Sequence, residues 1–194
     1  MSTTEVRIHG RGGQGVVTAA ELLSVAAFTE GRHAQAFPSF GSERTGAPVV
    51  SFCRIADRVI RTREPIVRPG ALIIQDATLL HQVNVFEGLR PGGTVLINSP
   101  RTADELGLHE LAGQAVTVPA TAFAVRHFGR PVPNAVLLGG LAALTGCVRI
   151  ESLSAAVRER FPGELGEANV AAAREAYDHV RKAQREERAH AQAD

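Results

Sequence analysis

The sequence predicts one α/β domain with a doubly wound, mostly parallel sheet and a helical C-terminal part. Short runs rich in Val, Ile and Leu alternate along the chain with segments of helical periodicity. Several of these runs are almost continuously apolar, which is typical of strands that are covered on both faces of a sheet. A glycine-rich turn joins the first run to the first helical segment, as it does in many doubly wound folds.

The individual elements follow from periodicity and from the residues that interrupt it. Gly31 is expected to end the first helix, Asn134 is expected to cap the fourth, and residues 38–48 form a loop with two prolines and two glycines. The chain shows no internal repeat, so residues 1–188 are predicted to be a single domain and residues 189–194 a frayed tail. The predicted strands are 6–10, 33–37, 49–55, 59–61, 71–76, 94–98 and 115–120, and the predicted helices are 16–30, 78–89, 120–128, 134–146, 151–161 and 167–188.

Composition excludes several classes of function. The chain has 21 Lys+Arg and 20 Asp+Glu, and this balance gives no electrostatic footprint for nucleic acid or an anionic membrane. No segment approaches the roughly 18 apolar residues that span a bilayer, and the first residues do not have the pattern of a signal peptide. The two cysteines are far apart and suit a reducing compartment. We therefore expect a cytoplasmic protein with no nucleic-acid or membrane partner.

The first candidate site is the glycine loop, residues 10–15, with the sequence GRGGQG. Its spacing is that of the dinucleotide fingerprint G-x-G-x-x-G. Glycines allow the backbone to approach a phosphate, and the following helix offers free N–H groups and a partial positive charge, to which Arg11 could add. The alternative is a tight turn that binds nothing. Gln14 favours a functional loop, since a bulky amide has no obvious structural need in such a turn.

An ordinary NAD site is disfavoured by the second predicted strand. NAD-binding folds place an acid at the end of that strand, where it holds the ribose hydroxyls. Here the strand ends in Ala36, Phe37 and Pro38, and Glu30 precedes it. A stand-alone nucleotide-binding enzyme of the same fold nevertheless stays open as the alternative function.

The second candidate site is the loop FPSFGSERTGAPV at residues 37–49. Loops that follow parallel strands lie at the carboxyl edge of the sheet, where ligands bind, so we expect this loop beside the glycine loop. The alternative is a solvated polar loop in which Glu43 and Arg44 form a surface ion pair.

No pattern of residues supports catalysis by the chain alone, and no catalytic residue is predicted. The histidines lack metal-binding spacing, and an iron–sulfur cluster needs about four thiolates where the chain has two cysteines. Cys53 and Cys147 are expected to be buried. His9 either reaches a ligand phosphate or is hydrogen-bonded to backbone. Asp76 either serves a site at a strand end or caps the following helix.

Four segments taken together resemble the gamma subunit of the 2-oxoacid:acceptor oxidoreductases, which include the pyruvate:ferredoxin and phenylglyoxylate:NAD enzymes. The segments are GRGGQGVVTAAELLSVAA, FPSFGSERTGAPV, PVPNAVLLGGLAALTG and GEANVAA, and the resemblance runs from about Val6 to Tyr177. It implies a Rossmann-like domain that is inactive alone and binds no cofactor by itself. The assembled enzyme would oxidise a 2-oxoacid to an acyl-CoA with thiamine diphosphate and Mg²⁺, [4Fe–4S] clusters, and coenzyme A as co-substrate.

The resemblance also implies partners and site residues. The partners are thiamine-binding alpha and beta subunits and a ferredoxin-like delta subunit, with ferredoxin or an NAD-linked flavin subunit as electron acceptor. Relatives often read E-R-R-G or E-R-T-G in the second loop, and here Thr45 follows Arg44. If a second Arg holds a coenzyme A phosphate in relatives, Arg11 or Arg44 would have to supply that contact here. A pure scaffold, whose glycine loop only packs against other subunits, stays open. The residues implied at the subunit interface and coenzyme A approach are Gly10, Arg11, Gly12, Gly13, Gln14, Gly15, Ser39, Gly41, Glu43, Arg44 and Asn134.

Overall fold

A computed structural model describes residues 3–39, 45–111 and 113–191 of the chain. It contains a six-stranded sheet and five α-helices, with short 3-10 turns at Ala77–His81 and His109–Leu111. Within the described residues, no helix combines the length and the apolar character needed to cross a bilayer. The strands are β1 (Thr3–Arg11), β2 (His33–Pro38), β3 (Pro48–Ala56), β4 (Ala71–Ile74), β5 (Thr94–Asn98) and β6 (Ala115–Val118). The helices are α1 (Val16–Thr29), α2 (Ala120–Phe128), α3 (Asn134–Thr145), α4 (Ile150–Arg160) and α5 (Glu164–Ala191).

The strand order is β2-β3-β1-β4-β5-β6. The pairs β1–β4, β4–β5 and β5–β6 are parallel, whereas β3 is antiparallel to both of its neighbours. The predicted α/β class with a mostly parallel sheet is therefore confirmed. The carboxyl ends of β1 and β4 are adjacent. After β1 the chain continues towards β2 on one side of the sheet, and after β4 it continues towards β5 on the other side. Ligand-binding crevices of α/β sheets form at such switch points.

The two faces of the sheet are covered in different ways. Alternating side chains of the strands point to opposite faces, so Ile8 and Ile73 pack against the five α-helices while Leu72 and Ile74 pack on the other side. That second side is covered over β4, β5 and β6 by the 3-10 turns and irregular segments between the strands. Each fully buried Leu or Ile contributes about 1.5–3 kcal/mol, and together they fix the strands that carry the loops of the site.

Helix α3 is central to the helical layer, and every residue from Asn134 to Ala143 is buried. Gly139 allows the close approach of α5, since a Cβ at this position would lie 1.9 Å from the carbonyl oxygen of Ala173. This packing holds α3 in place and thereby sets where its first residue, Asn134, meets the glycine loop.

Two predicted elements are wrong in type, and the ends of several others differ by up to three residues. The strand expected at 59–61 is irregular, because Ala56 is the last residue of β3 that pairs with a neighbouring strand. The helix expected at 78–89 is the 3-10 turn Ala77–His81 followed by turns, and the carbonyls of Val85 and Glu87 in those turns accept hydrogen bonds from Arg7 Nη2 at 3.0 and 2.6 Å. The last helix was expected to end at 188 and continues to Ala191.

Candidate functional site

The glycine loop joins β1 to α1 through residues with positive φ. Gly13 has φ 94° and Gly15 has φ 69° and ψ 36°, a region that L side chains rarely adopt. A Cβ on Gly13 would meet nothing within 4 Å, whereas a Cβ on Gly15 would lie 2.4 Å from Asn134 Nδ2. Gly13 therefore borders open space, whereas Gly15 packs against the side chain of Asn134.

Gln14 has a structural role in this loop. Its Oε1 accepts the N–H of Arg11 at 2.8 Å, and its Nε2 donates to Asp76 Oδ2 at 3.0 Å. The side chain therefore ties the turn to itself and to the end of β4. The inference that a bulky amide has no structural need here was wrong, because the partner carboxylate lies 62 residues away in the sequence.

The guanidinium group of Arg11 is bonded on all sides. Its Nε lies 3.0 Å from Asp76 Oδ2, and Nη1 donates to the carbonyl of Gly46 at 3.0 Å. Nη2 donates to Thr78 Oγ1 at 2.7 Å and to Gln82 Oε1 at 2.8 Å. Arg11 holds the two loops and the end of β4 together, and Asp76 compensates its charge.

Asp76 joins the glycine loop to the 3-10 turn that follows β4. Its Oδ1 accepts the N–H and the hydroxyl of Thr78 at 3.0 and 2.6 Å, so it caps that turn. Burial opposes ionisation of the carboxyl, but the hydrogen bonds from Thr78 and Gln14 and the charge of Arg11 outweigh burial and hold the pKa of Asp76 below its ordinary value. The side chain is an ionised anchor, and it serves both as a cap and at the strand end.

The second loop lies beside the glycine loop, as predicted. The N–H of Gly12 donates to the carbonyl of Ala47 at 2.9 Å, and the N–H of Gly46 donates to the carbonyl of Gly12 at 3.1 Å. Thr45 extends this contact as a parallel bridge to Gly12. The two loops therefore form adjoining walls at the carboxyl edge of β1.

The remaining residues expected in the second loop fall into two groups. Ser39 is exposed at the end of β2, where its N–H donates to the carbonyl of Val50 at 2.8 Å. Gly41, Glu43 and Arg44 lie outside the described residues.

Asn134 comes close to the glycine loop but does not cap α3. It is the first helical residue and follows Pro133, and its Oδ1 accepts the N–H of Ala135 at 2.8 Å. Its Nδ2 reaches towards the carbonyl of Gly15 at 3.4 Å. The amide therefore links the start of α3 to the start of α1, which sequence periodicity at the helix could not reveal.

An open cleft of about 500 Å³ lies over the glycine loop. The N–H groups of Val16, Val17 and Thr18 in the first turn of α1 have no acceptor among residues 3–39, 45–111 and 113–191, and the cap residue is a glycine. A helix N-terminus of this kind carries about half a positive charge. The cleft therefore favours an anionic group, bound by backbone N–H donors rather than by a free cationic side chain in the described part of the chain.

Gln75 is a buried residue that the sequence analysis missed. Only 1% of it is exposed, and neither of its side-chain amide atoms has a partner in the described structure. Its Oε1 would lie 3.1 Å from a Cβ on Gly10, which places a polar amide directly beneath the glycine loop. The sequence feature that could have indicated this residue is a single glutamine between the apolar run of β4 and Asp76.

The two cysteines and His9 are buried and have structural roles. Cys53 and Cys147 are buried in the helical layer, and burial raises the pKa of both thiols. His9 Nε2 accepts from Arg7 Nε at 3.0 Å, so its partner is a side chain and not backbone. Burial, aided by the Arg7 charge, lowers the pKa of His9 to about 4 and keeps the imidazole neutral. The described residues contain no cluster of three or more side chains able to hold a metal ion.

Known proteins resemble this chain over almost its whole length. The family model for pyruvate ferredoxin/flavodoxin oxidoreductase matches residues 5–179. The common gamma subunit of the pyruvate/ketoisovalerate oxidoreductases of Thermococcus litoralis is 46% identical over 176 residues, which cover 90% of this chain and 95% of the relative. Pyruvate synthase subunit PorC of Methanothermobacter marburgensis is 45% identical over 179 residues, which cover 91% and 97%.

A solved structure agrees with these sequence relatives. The crystal structure of pyruvate oxidoreductase subunit PORC from Thermotoga maritima superposes with a TM-score of 0.79 at 33% identity. The match covers 92% of this chain and 97% of that subunit. The sheet and helical layer described above are therefore those of a solved relative.

Proposed function

Because the chain belongs to the pyruvate ferredoxin/flavodoxin oxidoreductase family, as the gamma subunit of a pyruvate or ketoacid oxidoreductase, we propose that its glycine-loop cleft helps to bind coenzyme A. The complex would convert a 2-oxoacid to an acyl-CoA. The observation that carries this proposal is the row of N–H donors without described acceptors at the start of α1, facing an open cleft beside Gly13. Phosphate groups are the anions for which such a helix terminus is suited.

The donors of this cleft are held in place before a ligand arrives. Gln14 and Asp76 tie the glycine loop to β4, and Arg11 ties it to the second loop. A ligand that binds preorganised groups does not have to offset the ordering of a flexible loop, so more of the interaction energy appears as affinity. In this proposal the gamma subunit binds and orients the co-substrate, and it takes no part in bond making.

The chemistry of oxidation is proposed to lie on other subunits. Thiamine diphosphate with Mg²⁺ would supply the decarboxylation, and [4Fe–4S] clusters would carry the electrons. The two cysteines of this chain do not fit a cluster, since both are buried and about four thiolates are needed. We assign these groups to alpha and beta subunits and to a ferredoxin-like delta subunit, with ferredoxin or an NAD-linked flavin subunit as acceptor. We expect the complex in the cytoplasm.

The second loop would form the other wall of the coenzyme A approach. Thr45 and Gly46 already contact the glycine loop, which brings the loop to the rim of the cleft. Because Arg11 is bonded to Asp76, a cationic side chain for the ligand would have to come from Arg44 or from another subunit.

Substitution of Gly13 tests this proposal in the assembled complex. A side chain at Gly13 would project into the cleft and block the approach of an anion to the backbone, so Gly13→Val should abolish coenzyme A-dependent turnover while the complex stays intact. Gly92→Val is the matched control. Gly92 also has positive φ and free space around a Cβ, but it lies in the exposed turn before β5, so turnover should survive.

The measurement is the rate of acyl-CoA formation against coenzyme A concentration, with subunit composition checked by native mass spectrometry. Full activity of Gly13→Val would contradict the coenzyme A role. Loss of other subunits from the Gly13→Val complex would instead support a scaffold whose glycine loop only packs against partners. Equal losses in both variants would trace the effect to backbone strain of about 1–2 kcal/mol at a left-handed position.

A further inference from the structure

A second cleft, of about 570 Å³, lies at the other edge of the sheet. Here β1 begins and β3 ends, and residues 57–68 form the first part of the connection to β4. We call it the amino-edge cleft. Its walls include Glu5, Arg54, Arg58 and Arg61. It is separate from the glycine-loop cleft, which lies at the carboxyl edge of the parallel strands.

The amino-edge cleft carries excess positive charge. Arg54 Nε lies 2.9 Å from one oxygen of Glu5, and Arg90 binds the other oxygen, so a single carboxylate serves two guanidinium groups. Arg58 and Arg61 are exposed along the same wall and have no ion pair or hydrogen bond with any described residue. The whole chain has a net charge of only +1, so this cationic surface is local.

The residues around these arginines extend the same pattern. Arg63 and Arg68 are also exposed and have no partner in the described part of the chain. Of the two carboxylates in the connection, Asp57 lies 3.4 Å from Arg32. Glu64 is the other, and its backbone carbonyl accepts from Arg54. The connection therefore presents more positive than negative charge to its surroundings.

Arg54 forms the floor of the cleft and is not fully bonded. It is 6% exposed, and its Nη1 has no acceptor within the described residues. A buried donor left without an acceptor is destabilising. A carboxylate that enters the cleft would offset the unbalanced positive charge of Arg54 and Arg90 beside Glu5.

The rim of the cleft is apolar as well as basic. Val59 is 63% exposed and Ile60 is half-buried, and both lie between Arg58 and Arg61 in the wall of the cleft. A site for a free inorganic anion gains nothing from exposed aliphatic side chains. Arginine combined with exposed apolar groups is typical of protein interfaces, where the apolar groups are covered by the partner.

We propose that the amino-edge cleft docks an acidic, partly apolar segment of another subunit of the oxidoreductase. Asp or Glu side chains of that segment pair with Arg58 and Arg61, and its aliphatic groups cover Val59 and Ile60. The inference rests on the chain's membership of a multi-subunit enzyme and not on what the glycine-loop cleft binds.

Charge reversal in the intact complex tests the proposal. Arg58→Glu with Arg61→Glu should weaken retention of the gamma subunit roughly 100-fold, since like charges would then face each other across the interface. Arg181→Glu with Arg185→Glu is the matched control, because it makes the same change of charge on exposed arginines of α5. Native mass spectrometry over a range of dilution and salt measures retention. Unchanged melting temperatures of the isolated variants confirm that folding is unaffected.

A chemical cross-link identifies the occupant. In Arg61→Lys a carbodiimide should couple the new amine to an Asp or Glu of another type of subunit, and peptide sequencing locates that residue. Retention of the charge-reversed subunit at wild-type affinity would overturn the proposal, and so would an equal loss in the α5 control. A cross-link to a second gamma chain would also overturn it. If inorganic phosphate binds at Arg58 and Arg61 and the charge-reversed subunit still assembles normally, the cleft is a site for a free anion instead, and the proposal is overturned.

Discussion

Substitution of Gly15 by alanine separates two reasons for a glycine at the start of α1. The first is conformational, because φ 69° costs a residue with a Cβ about 1–2 kcal/mol. The second is steric, because the new methyl group would lie 2.4 Å from Asn134 Nδ2, and Asn134 is 4% exposed and cannot turn into solvent. Displacing a packed side chain costs a further ~1–3 kcal/mol. We therefore expect Gly15→Ala to lower the free energy of unfolding by about 2–5 kcal/mol.

Two companion variants assign the parts of that loss. Gly31→Ala, at the other end of α1, has a similar φ of 77° and free space around the Cβ, so it should show the conformational cost alone. Asn134→Ala removes the obstructing amide and loses the hydrogen bond from the N–H of Ala135, which is worth about 1 kcal/mol, together with the long contact to the carbonyl of Gly15. In the double variant Gly15→Ala/Asn134→Ala the steric part should vanish, and the loss should be smaller than the sum by ~1–3 kcal/mol.

Urea unfolding of the purified subunit, followed by circular dichroism, measures these differences. A coupling energy near zero would refute the reasoning, because it would mean that Asn134 does not limit the space beside Gly15. A Gly15→Ala variant as stable as the wild type would refute both parts at once.

Further variants probe the anchor carboxylate, the buried imidazole and the helix packing. Asp76→Asn should lower the free energy of unfolding by about 1–3 kcal/mol at pH 7, because it weakens the pairing with Arg11. Because the pKa of Asp76 is depressed, the contribution of its carboxylate is present above pH ~4 and is lost as the pH falls further. Urea unfolding of the variant and the wild type at pH 7 and pH 3 checks both points. His9 has a pKa of about 4, below the ~6.5 of an unfolded chain, so the free energy of unfolding should fall as the pH drops from 6.5 to 4. This loss should be absent in His9→Gln. NMR should show no titration of His9 above pH 5. Gly139→Ala would place a methyl 1.9 Å from a carbonyl oxygen of α5 and should cost ~3 kcal/mol or more, whereas Gly140→Ala meets only side chains and should cost far less in a thermal melt.

Local patterns in the sequence predicted much of the fold. The unit from β1 through the glycine loop to α1 is visible because its strand, its glycines and its helical periodicity lie within about 30 consecutive residues. The apolar strands β4 and β5 were located for the same reason. Prediction failed at 78–89, where turns replace the expected helix and the carbonyls of Val85 and Glu87 are bound by Arg7, a contact 78 and 80 residues away that no local pattern shows.

The sequence predicted that the two candidate loops lie side by side, but it did not predict the hydrogen bonds that hold them in place. Adjacent loops at the carboxyl edge follow from a parallel sheet, and the contact between Gly12 and Ala47 agrees with that expectation. The pairing of Arg11 and Gln14 with Asp76 depends on the order of strands, because only the adjacency of β1 and β4 brings the three together. No local pattern encodes that order, so the structural bonds of Arg11 and Gln14 could not be predicted from the sequence.

The position of β3 has a consequence for the capacity of this scaffold to acquire new chemistry. Recognition of a dinucleotide requires the tip of the second strand to stand next to the tip of the first, so that one acid reaches the ribose while the glycines hold the pyrophosphate. Here an antiparallel strand separates β1 from β2, and this displaces the tip of β2 by a further ~4.8 Å. An acid introduced at Phe37 would stand one strand too far away. No single substitution there converts the chain into a dehydrogenase, and its glycine fingerprint remains available to a ligand that needs no such acid.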